Sequence, residues 1–310
     1  MTSRNELDLS ESFTGTREVS DRHRIDVDKL ATYLKSALSG FDGPLEVREF
    51  KGGQSNPTYQ LKTPGATYVL RRKPPGHLLK SAHAVDREFA VISALNRVDF
   101  PVPHAHILCE DDSVIGTMFY VMSCVEGRVL WDSMLRRQSP EERSALFESM
   151  LEVLARLHTT APESIGLEKF GRPGNYYARQ ISRWTKQYLA SETEKIPAMD
   201  RLIEWLPENV PDDDSTTIIH GDYKLDNMIV HPDEPRIIAV LDWELATLGH
   251  PLGDVTYHLA HRVSPGSAWL KATDTELEAL GIPTAAQWID RYCELTGRDG
   301  IADLDFYLAY

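Results

Sequence analysis

The stretch Ile219-His220-Gly221-Asp222-Tyr223-Lys224-Leu225-Asp226-Asn227, followed by Leu241-Asp242-Trp243, decides how this chain is read. It sets His, Asp and Asn in the order His-x-Asp-x-x-x-x-Asn and places a second Asp at the end of an apolar segment. Met228-Ile229-Val230 predicts a short strand, His231-Pro232-Asp233-Glu234-Pro235 a turn, and Ile237 to Leu241 a returning strand. A hairpin of that length returns Asp242 to the side of Asn227. There a carboxylate and a side-chain carbonyl can reach one hard cation. Those two groups, with a further carboxylate to orient and deprotonate a hydroxyl, are what phosphoryl transfer requires. A lone Asp more simply caps a turn or faces water. Four residue types in order around one hairpin argue for chemistry instead.

The Asp222-to-Asn227 spacing equals that of the protein-kinase catalytic loop. His220, Asp222, Asn227 and Asp242 resemble the signature of the aminoglycoside phosphotransferase and choline kinase group, the small-molecule branch of the kinase-like fold. The longer string HGDYKLDNMIVHPDEPRIIAVLDWELATLGHPLGD is similar to the subgroup of kinase-like domains associated with acyl-CoA dehydrogenases. The resemblance runs from about Leu45 to the end of the sequence. It implies an α+β, bilobal protein-kinase-like fold, with a small antiparallel-sheet N-lobe and a mostly helical C-lobe. It also implies ATP and Mg²⁺ as cofactors and a small-molecule hydroxyl as acceptor. Trp243-Glu244 stand where a protein kinase has Phe-Gly, and no Ala-Pro-Glu element follows, which argues against a protein substrate.

The resemblance distributes roles. Asp222 is the expected base, and Asn227 and Asp242 are the expected metal ligands. Gly53, Ser55 and Asn56, in a glycine-containing turn between two predicted strands, are expected near phosphate. A plain hairpin turn explains that segment about as well. Arg71 falls where a kinase has its strand lysine, with Arg72 and Lys73 as rival candidates, and Glu88 on the next helix is the expected ion-pair partner. Met122 and Cys124 lie at the strand end expected to border adenine. His220 is expected to support the loop rather than move protons, and Lys224 to approach the transferred group. Asp254 reads as a helix N-cap, with bracing of the catalytic loop added by the resemblance.

Three segments follow from the patterning. Residues 1–26 are polar and read as a flexible or loosely docked N-terminal arm. Residues 27–125 form a nucleotide-binding lobe: a helix from Val27 to Leu38, strands at Leu45–Phe50, Thr58–Leu61, Tyr68–Arg71 and Phe119–Met122, and a helix from Ala84 to Asn96. Residues 126–310 form a catalytic and acceptor-binding lobe that opens with a capping box at Ser139-Pro140-Glu141-Glu142. The apolar helical pattern ending at Tyr310 carries no stop signal, so this lobe is expected to continue past it.

Composition sets limits. The 310 residues are 42% hydrophobic with a formal net charge of −14. That balance is ordinary for a soluble globular protein and unfavourable for nucleic acid or anionic membranes, which demand Lys/Arg contacts. Three scattered cysteines fit a reducing compartment. No apolar run reaches membrane-spanning length and no secretory signal opens the chain, so a cytoplasmic location is expected.

Other constellations carry less. His104-x-His106-x-x-Cys109 lacks a fourth zinc ligand. Tyr177, Trp184 and Tyr188 recur at helical spacing and read first as core, second as a wall of the acceptor site. Asp212-Asp213-Asp214 reads as an exposed acidic loop. Arg71, Arg72, Lys73, His77, Lys80 and His83 gather positive charge. That cluster and the company of acyl-CoA metabolism point to a hydroxy acid or hydroxyacyl-CoA acceptor. A catalytically silent nucleotide- or partner-binding module and an aminoglycoside- or choline-type kinase are the alternatives.

Overall fold

The computed structural model describes residues 14–52, 56–74, 84–263 and 272–310. The chain divides into two compact units, Met1–Ser133 with Leu225–Glu244, and Met134–Lys224 with Leu245–Tyr310.

The first unit is built on a six-stranded antiparallel sheet. Its strands are β1 (Thr16–Arg17), β2 (Glu46–Phe50), β3 (Thr58–Lys62), β4 (Thr67–Arg72), β5 (Ala105–Cys109) and β6 (Phe119–Ser123), in the order β1-β2-β3-β4-β6-β5. Helix α1 (Val27–Ala37) starts where the Asp26 carboxylate accepts the Lys29 N–H at 3.0 Å. Its Leu30 and Leu34 meet Tyr59, Leu61, Leu70, Phe119 and Val121 in one buried cluster. Helix α2 (Val85–Asn96) buries Val85, Glu88, Val91, Ile92 and Leu95. A short α3 (Asp112–Ile115) precedes β6.

β4 is buried from Tyr68 to Arg72, and its last two side chains part to opposite faces, as strand geometry demands. The Arg72 guanidinium lies 5.5 Å from the centroid of the Tyr59 ring and donates towards the Ile115 carbonyl at 3.5 Å. Arg71 faces Glu88 of α2. Lys73, past the strand end, sits 3.6 Å from Asp86. Only Arg71 of the three rivals meets the carboxylates described below.

The N-terminal arm is docked over its described part. β1 pairs with β2 in the register Thr16↔Phe50 and Arg17↔Glu49. Glu49, only 3% exposed, accepts from Arg17 at 2.7 Å and from the Ser20 N–H at 2.9 Å, and His23 Nδ1 lies 2.9 Å away. The anchor of this polar segment is a buried carboxylate rather than an apolar stripe. β5 carries a weaker apolar signal, since His106 interrupts an otherwise ordinary strand. The predicted hairpin is present: Met228–Val230 pairs antiparallel with Ile237–Val240.

The second unit is mostly helical. Its elements are α4 (Pro140–Thr159), α5 (Tyr176–Ser191), α6 (Pro197–Glu208), α7 (Leu252–Val263), α8 (Asp274–Ala279), α9 (Ala285–Thr296) and α10 (Leu304–Ala309), with Thr217–Ile219 paired to Thr247–Gly249. Ser139 Oγ accepts the Glu142 N–H at 3.2 Å, and Pro140 takes the first helical turn. α9 opens with a complete capping box, Thr284 with Gln287. Among the described residues, no helix is long and apolar enough to cross a membrane.

Burial alone would raise the Glu49 carboxyl. The Ser20, Arg17 and His23 hydrogen bonds outweigh it and hold the group at about 2, below its ordinary 4.5. A depressed carboxylate adds stability that is present above the unfolded value and is lost as pH falls from 4.5 towards about 2. Glu49→Gln should therefore lower the unfolding free energy at pH 7 by about 2–3 kcal/mol, with the gap from wild type closing through that acid window. Urea denaturation at pH 7 and at pH about 3 checks this; an unchanged midpoint at pH 7 would contradict it.

Candidate active site

In the first unit, the hairpin after Asn227 sets the geometry. The Leu241 N–H donates to the Asn227 carbonyl at 2.8 Å, which places Asp242 one residue from the backbone partner of Asn227. Asp242 has φ 64, a left-handed conformation that is uncommon outside glycine but tolerated by Asp. Trp243 beyond it is 1% exposed, donates Nε1 to the Val240 carbonyl at 3.0 Å and packs edge-on to Phe100. The buried indole anchors the strand end, so the Asp242 carboxylate is held rather than left to swing.

Three carboxylates gather on Arg71. Its Nη2 is 2.5 Å from Asp242 Oδ1 and 3.7 Å from Glu244 Oε2, and its Nε is 2.9 Å from Glu88 Oε2. The Nε–Glu88 contact is an ion pair off the hydrogen-bonding line, since neither Arg71 Nε nor the Glu88 oxygens make an aligned hydrogen bond. Burial pushes the Glu88 carboxyl up to about 7, with Arg71 opposing and Asp242 and Glu244 adding to the rise. Burial disfavours the Arg71 charge, yet Glu88 and Asp242 outweigh it and hold the guanidinium above its usual value. Asn56, 1% exposed, reaches Glu244 Oε2 from Nδ2 at 3.4 Å. Gly53 and Ser55 lie outside the described residues. Met122 is buried opposite Val69, and Cys124, partly exposed just past β6, has its thiol pushed up by burial. Neither side chain joins the Arg71 cluster.

In the second unit, the loop from His220 to Lys224 hangs on α7. Asp254 sits inside the first turn of α7 rather than at its cap. Its Oδ2 accepts the His220 N–H at 2.7 Å and its Oδ1 the Gly221 N–H at 2.8 Å. The expected bracing is thus made, and the expected cap is not, because both carboxylate oxygens serve the loop. Burial would raise Asp254; His158 and His220 outweigh it and keep the carboxyl below its usual value. His158 Nε2 is 3.3 Å from Asp254 Oδ2, and its Nδ1 is 2.8 Å from the Tyr292 hydroxyl. Gly221 has φ 84, and a Cβ there would lie 2.9 Å from the Leu245 Cβ, so only glycine fits. The Asp222 N–H donates to His220 Nδ1 at 3.2 Å, which gives His220 a supporting role in the loop. The Tyr223 hydroxyl donates to the Met150 carbonyl at 2.8 Å. The Asp222 carboxylate, partly exposed, has Tyr257 at 2.8 Å and Lys224 Nζ at 3.2 Å.

Two residues escaped the sequence reading. Glu244 lies two positions past Asp242. Tyr257 lies three past Asp254, and that i,i+3 spacing on one helix was the available signal. The remaining candidates divide. Tyr177 is core, ringed by His250, Phe306, Tyr307 and Tyr310, whereas Trp184 is 55% exposed. Asp213 accepts from Ser215 and Arg298 and faces His250, and Asp214 accepts the Asn175 N–H, so much of that acidic run works within the unit. His106 pairs with Ser123 at 2.9 Å, and Cys109 lies in the apolar core. Among the described residues, no three His, Cys, Asp or Glu side chains form a ready metal cage. Arg71 and Arg72 are buried and Lys73 is paired, while His77, Lys80 and His83 lie outside the described residues.

Residues 46–297 match the family model described as the phosphotransferase enzyme family, and the chain belongs to that family. It is similar to human acyl-CoA dehydrogenase family member 11, 44% identical over 298 residues. That match covers 94% of this chain and 38% of the human protein, so the chain spans well under half of that relative's length. A crystal structure from Ralstonia eutropha assigned to the aminoglycoside phosphotransferases is 49% identical, with a TM-score of 0.84, covering 92% of this chain and 84% of that one. A thermostable mutant of aminoglycoside phosphotransferase APH(4)-Ia, solved as a ternary complex with AMP-PNP and hygromycin B, shares the fold at 17% identity. Its TM-score is 0.60, with 91% of this chain and 88% of that one covered. The α+β protein-kinase-like fold is therefore the fold of this chain.

Asp254→Ala leaves two buried backbone donors without an acceptor. It should destabilise the second unit by about 3 kcal/mol or more, and Asp254→Asn, which keeps one acceptor oxygen, by less. Thermal and urea unfolding of both variants checks the order; equal midpoints for Ala, Asn and wild type would contradict it.

Proposed function

We propose that this protein is an ATP-dependent kinase that moves the γ-phosphoryl group to a hydroxyl of a small hydroxy acid or hydroxyacyl-CoA. The carrying observation is the Arg71 cluster, where one guanidinium faces Glu88, Asp242 and Glu244. Carboxylates outnumber the cation there, and an exposed edge rich in negative oxygens suits a hard divalent ion. Asn227 and Asp242 would hold Mg²⁺, which when bound neutralises charge on the nucleotide phosphates. Membership of the phosphotransferase family and the AMP-PNP complex of the APH(4)-Ia enzyme support ATP as donor.

Each residue has a task in the transfer. Arg71 supplies a permanent charge towards phosphate oxygens, with Glu88 steadying it. Asn56 is assigned to the phosphates, together with Gly53 and Ser55, which lie outside the described residues, and Met122 and Cys124 are assigned to the adenine. Asp222 orients the acceptor hydroxyl and takes its proton as the oxygen bonds to the γ-phosphorus. The bond from that phosphorus to the β,γ-bridging oxygen breaks, and ADP leaves. Lys224 places positive charge next to Asp222, on the approach of an anionic acceptor.

An acyl acceptor draws support from the relatives named as acyl-CoA dehydrogenases and from the internal use of the Asp213 and Asp214 carboxylates, which removes an obvious polycation patch. The alternatives are a silent nucleotide-binding module and an aminoglycoside- or choline-type kinase. ADP release should be detected with hydroxyacyl-CoA or free hydroxy acids and not with choline or kanamycin. Asp222→Asn should lower kcat by about a thousandfold or more, since proton acceptance acts in the transition state. Turnover with kanamycin or choline alone would move the acceptor to another branch. Mg-ATP binding without turnover on any acceptor would favour the silent module.

The two metal positions differ in charge. Asp242→Ala should weaken calorimetric Mg-ATP binding more than Asn227→Ala, because a carboxylate gives a hard cation a full charge and an amide only a dipole. Equal affinities, or the reverse order, would sink that ranking.

A further inference from the structure

α7 presents two side chains to the catalytic loop, one helical turn apart. Asp254 takes the backbone of His220 and Gly221, and Tyr257, three residues on, reaches the side chain of Asp222. The Tyr257 hydroxyl donates to Asp222 Oδ1 at 2.8 Å. Lys224 Nζ stands 3.2 Å from the other oxygen, Oδ2. The two carboxylate oxygens therefore differ. Oδ1 is tied to a rigid helix through a phenol. Oδ2 faces a flexible ammonium that can swing away on its four-carbon stem.

We infer that Tyr257 is a positioning residue for phosphoryl transfer: its hydroxyl, donating to Oδ1, fixes the plane of the Asp222 carboxylate. This rests on the reading of Asp222 as the base. The physical case is rotational. A carboxylate turns broadly about its terminal torsion, and a hydroxyl acceptor needs one lone pair at one angle. Backbone bracing by Asp254 fixes where the loop lies but cannot fix that torsion. A phenol donor can, because its one O–H bonds one carboxylate oxygen along a fixed direction. Tyr257 is 38% exposed, so core packing does not account for its hydroxyl being aimed at this carboxylate.

The test compares wild type, Tyr257→Phe, Asp222→Asn and the double variant, reading ADP release from Mg-ATP with 3-hydroxyacyl-CoA and with water as acceptors. Tyr257→Phe removes one hydroxyl and keeps the ring. Its kcat should fall about tenfold, as for loss of one hydrogen bond to a charged group, with KM for Mg-ATP within about twofold of wild type. Adding Tyr257→Phe to Asp222→Asn should cost nothing further, because both act through one carboxylate. Full additivity, or an unchanged kcat in Tyr257→Phe while Asp222→Asn is inactive, overturns this inference and leaves the base assignment standing. A fully active Asp222→Asn overturns the base assignment itself. A readout free of turnover is the ¹³C carboxyl resonance of Asp222, identified by its loss in Asp222→Asn. It should shift in Tyr257→Phe, and an unmoved resonance overturns the contact.

Discussion

Arg71 is a permanent charge buried beside Arg72 at the end of β4, and three carboxylates of the first unit gather to satisfy it. A guanidinium cannot shed its proton to escape burial, so its neighbours must supply the opposite charge. Glu88 faces it from α2, where burial pushes the carboxyl up and the Arg71 charge opposes that rise. Asp242 does so from the hairpin that follows Asn227. Removing one partner of such a set strands a buried charge, so these residues hold their geometry more firmly than exposed pairs such as Arg24–Asp21.

The second unit solves a different problem. The loop from His220 to Lys224 does not satisfy its own amides in a regular ladder. Asp254 accepts two of them from inside α7, and Gly221 accepts the left-handed turn that brings them together. His158 and Tyr292 extend that network into α4 and α9. Asp242 in the first unit shows a similar economy, adopting a positive φ that a buried Trp243 keeps in place.

The acidic composition reads differently once charges are located. Glu49, Asp213, Asp214 and Asp254 are acceptors for groups within their own units. They say little about the sign of a ligand. Local pairs, such as Lys224 beside Asp222, weigh more, because charges beyond about 8–10 Å are screened at ordinary salt.

The sequence by itself determined the hairpin after Asn227, the main strands of the sheet, α1, α2 and α4, and it named the residue types of the proposed transfer site. These rest on local periodicity, turn chemistry and short spacing, all of which a linear chain displays. It left Arg71, Arg72 and Lys73 unresolved, and tertiary structure separated them, since only the pleat of β4 and the position of α2 decide which cation meets Glu88. It could not show that Glu49 docks residues 16–23, because that anchor pairs groups about thirty positions apart. Nor could it show Tyr257 on Asp222, a contact across 35 positions that exists only because α7 packs beneath the loop. Hydrogen bonds between distant side chains have no periodic trace in a sequence; they appear only when folding has placed both partners within 3 Å or so of one another.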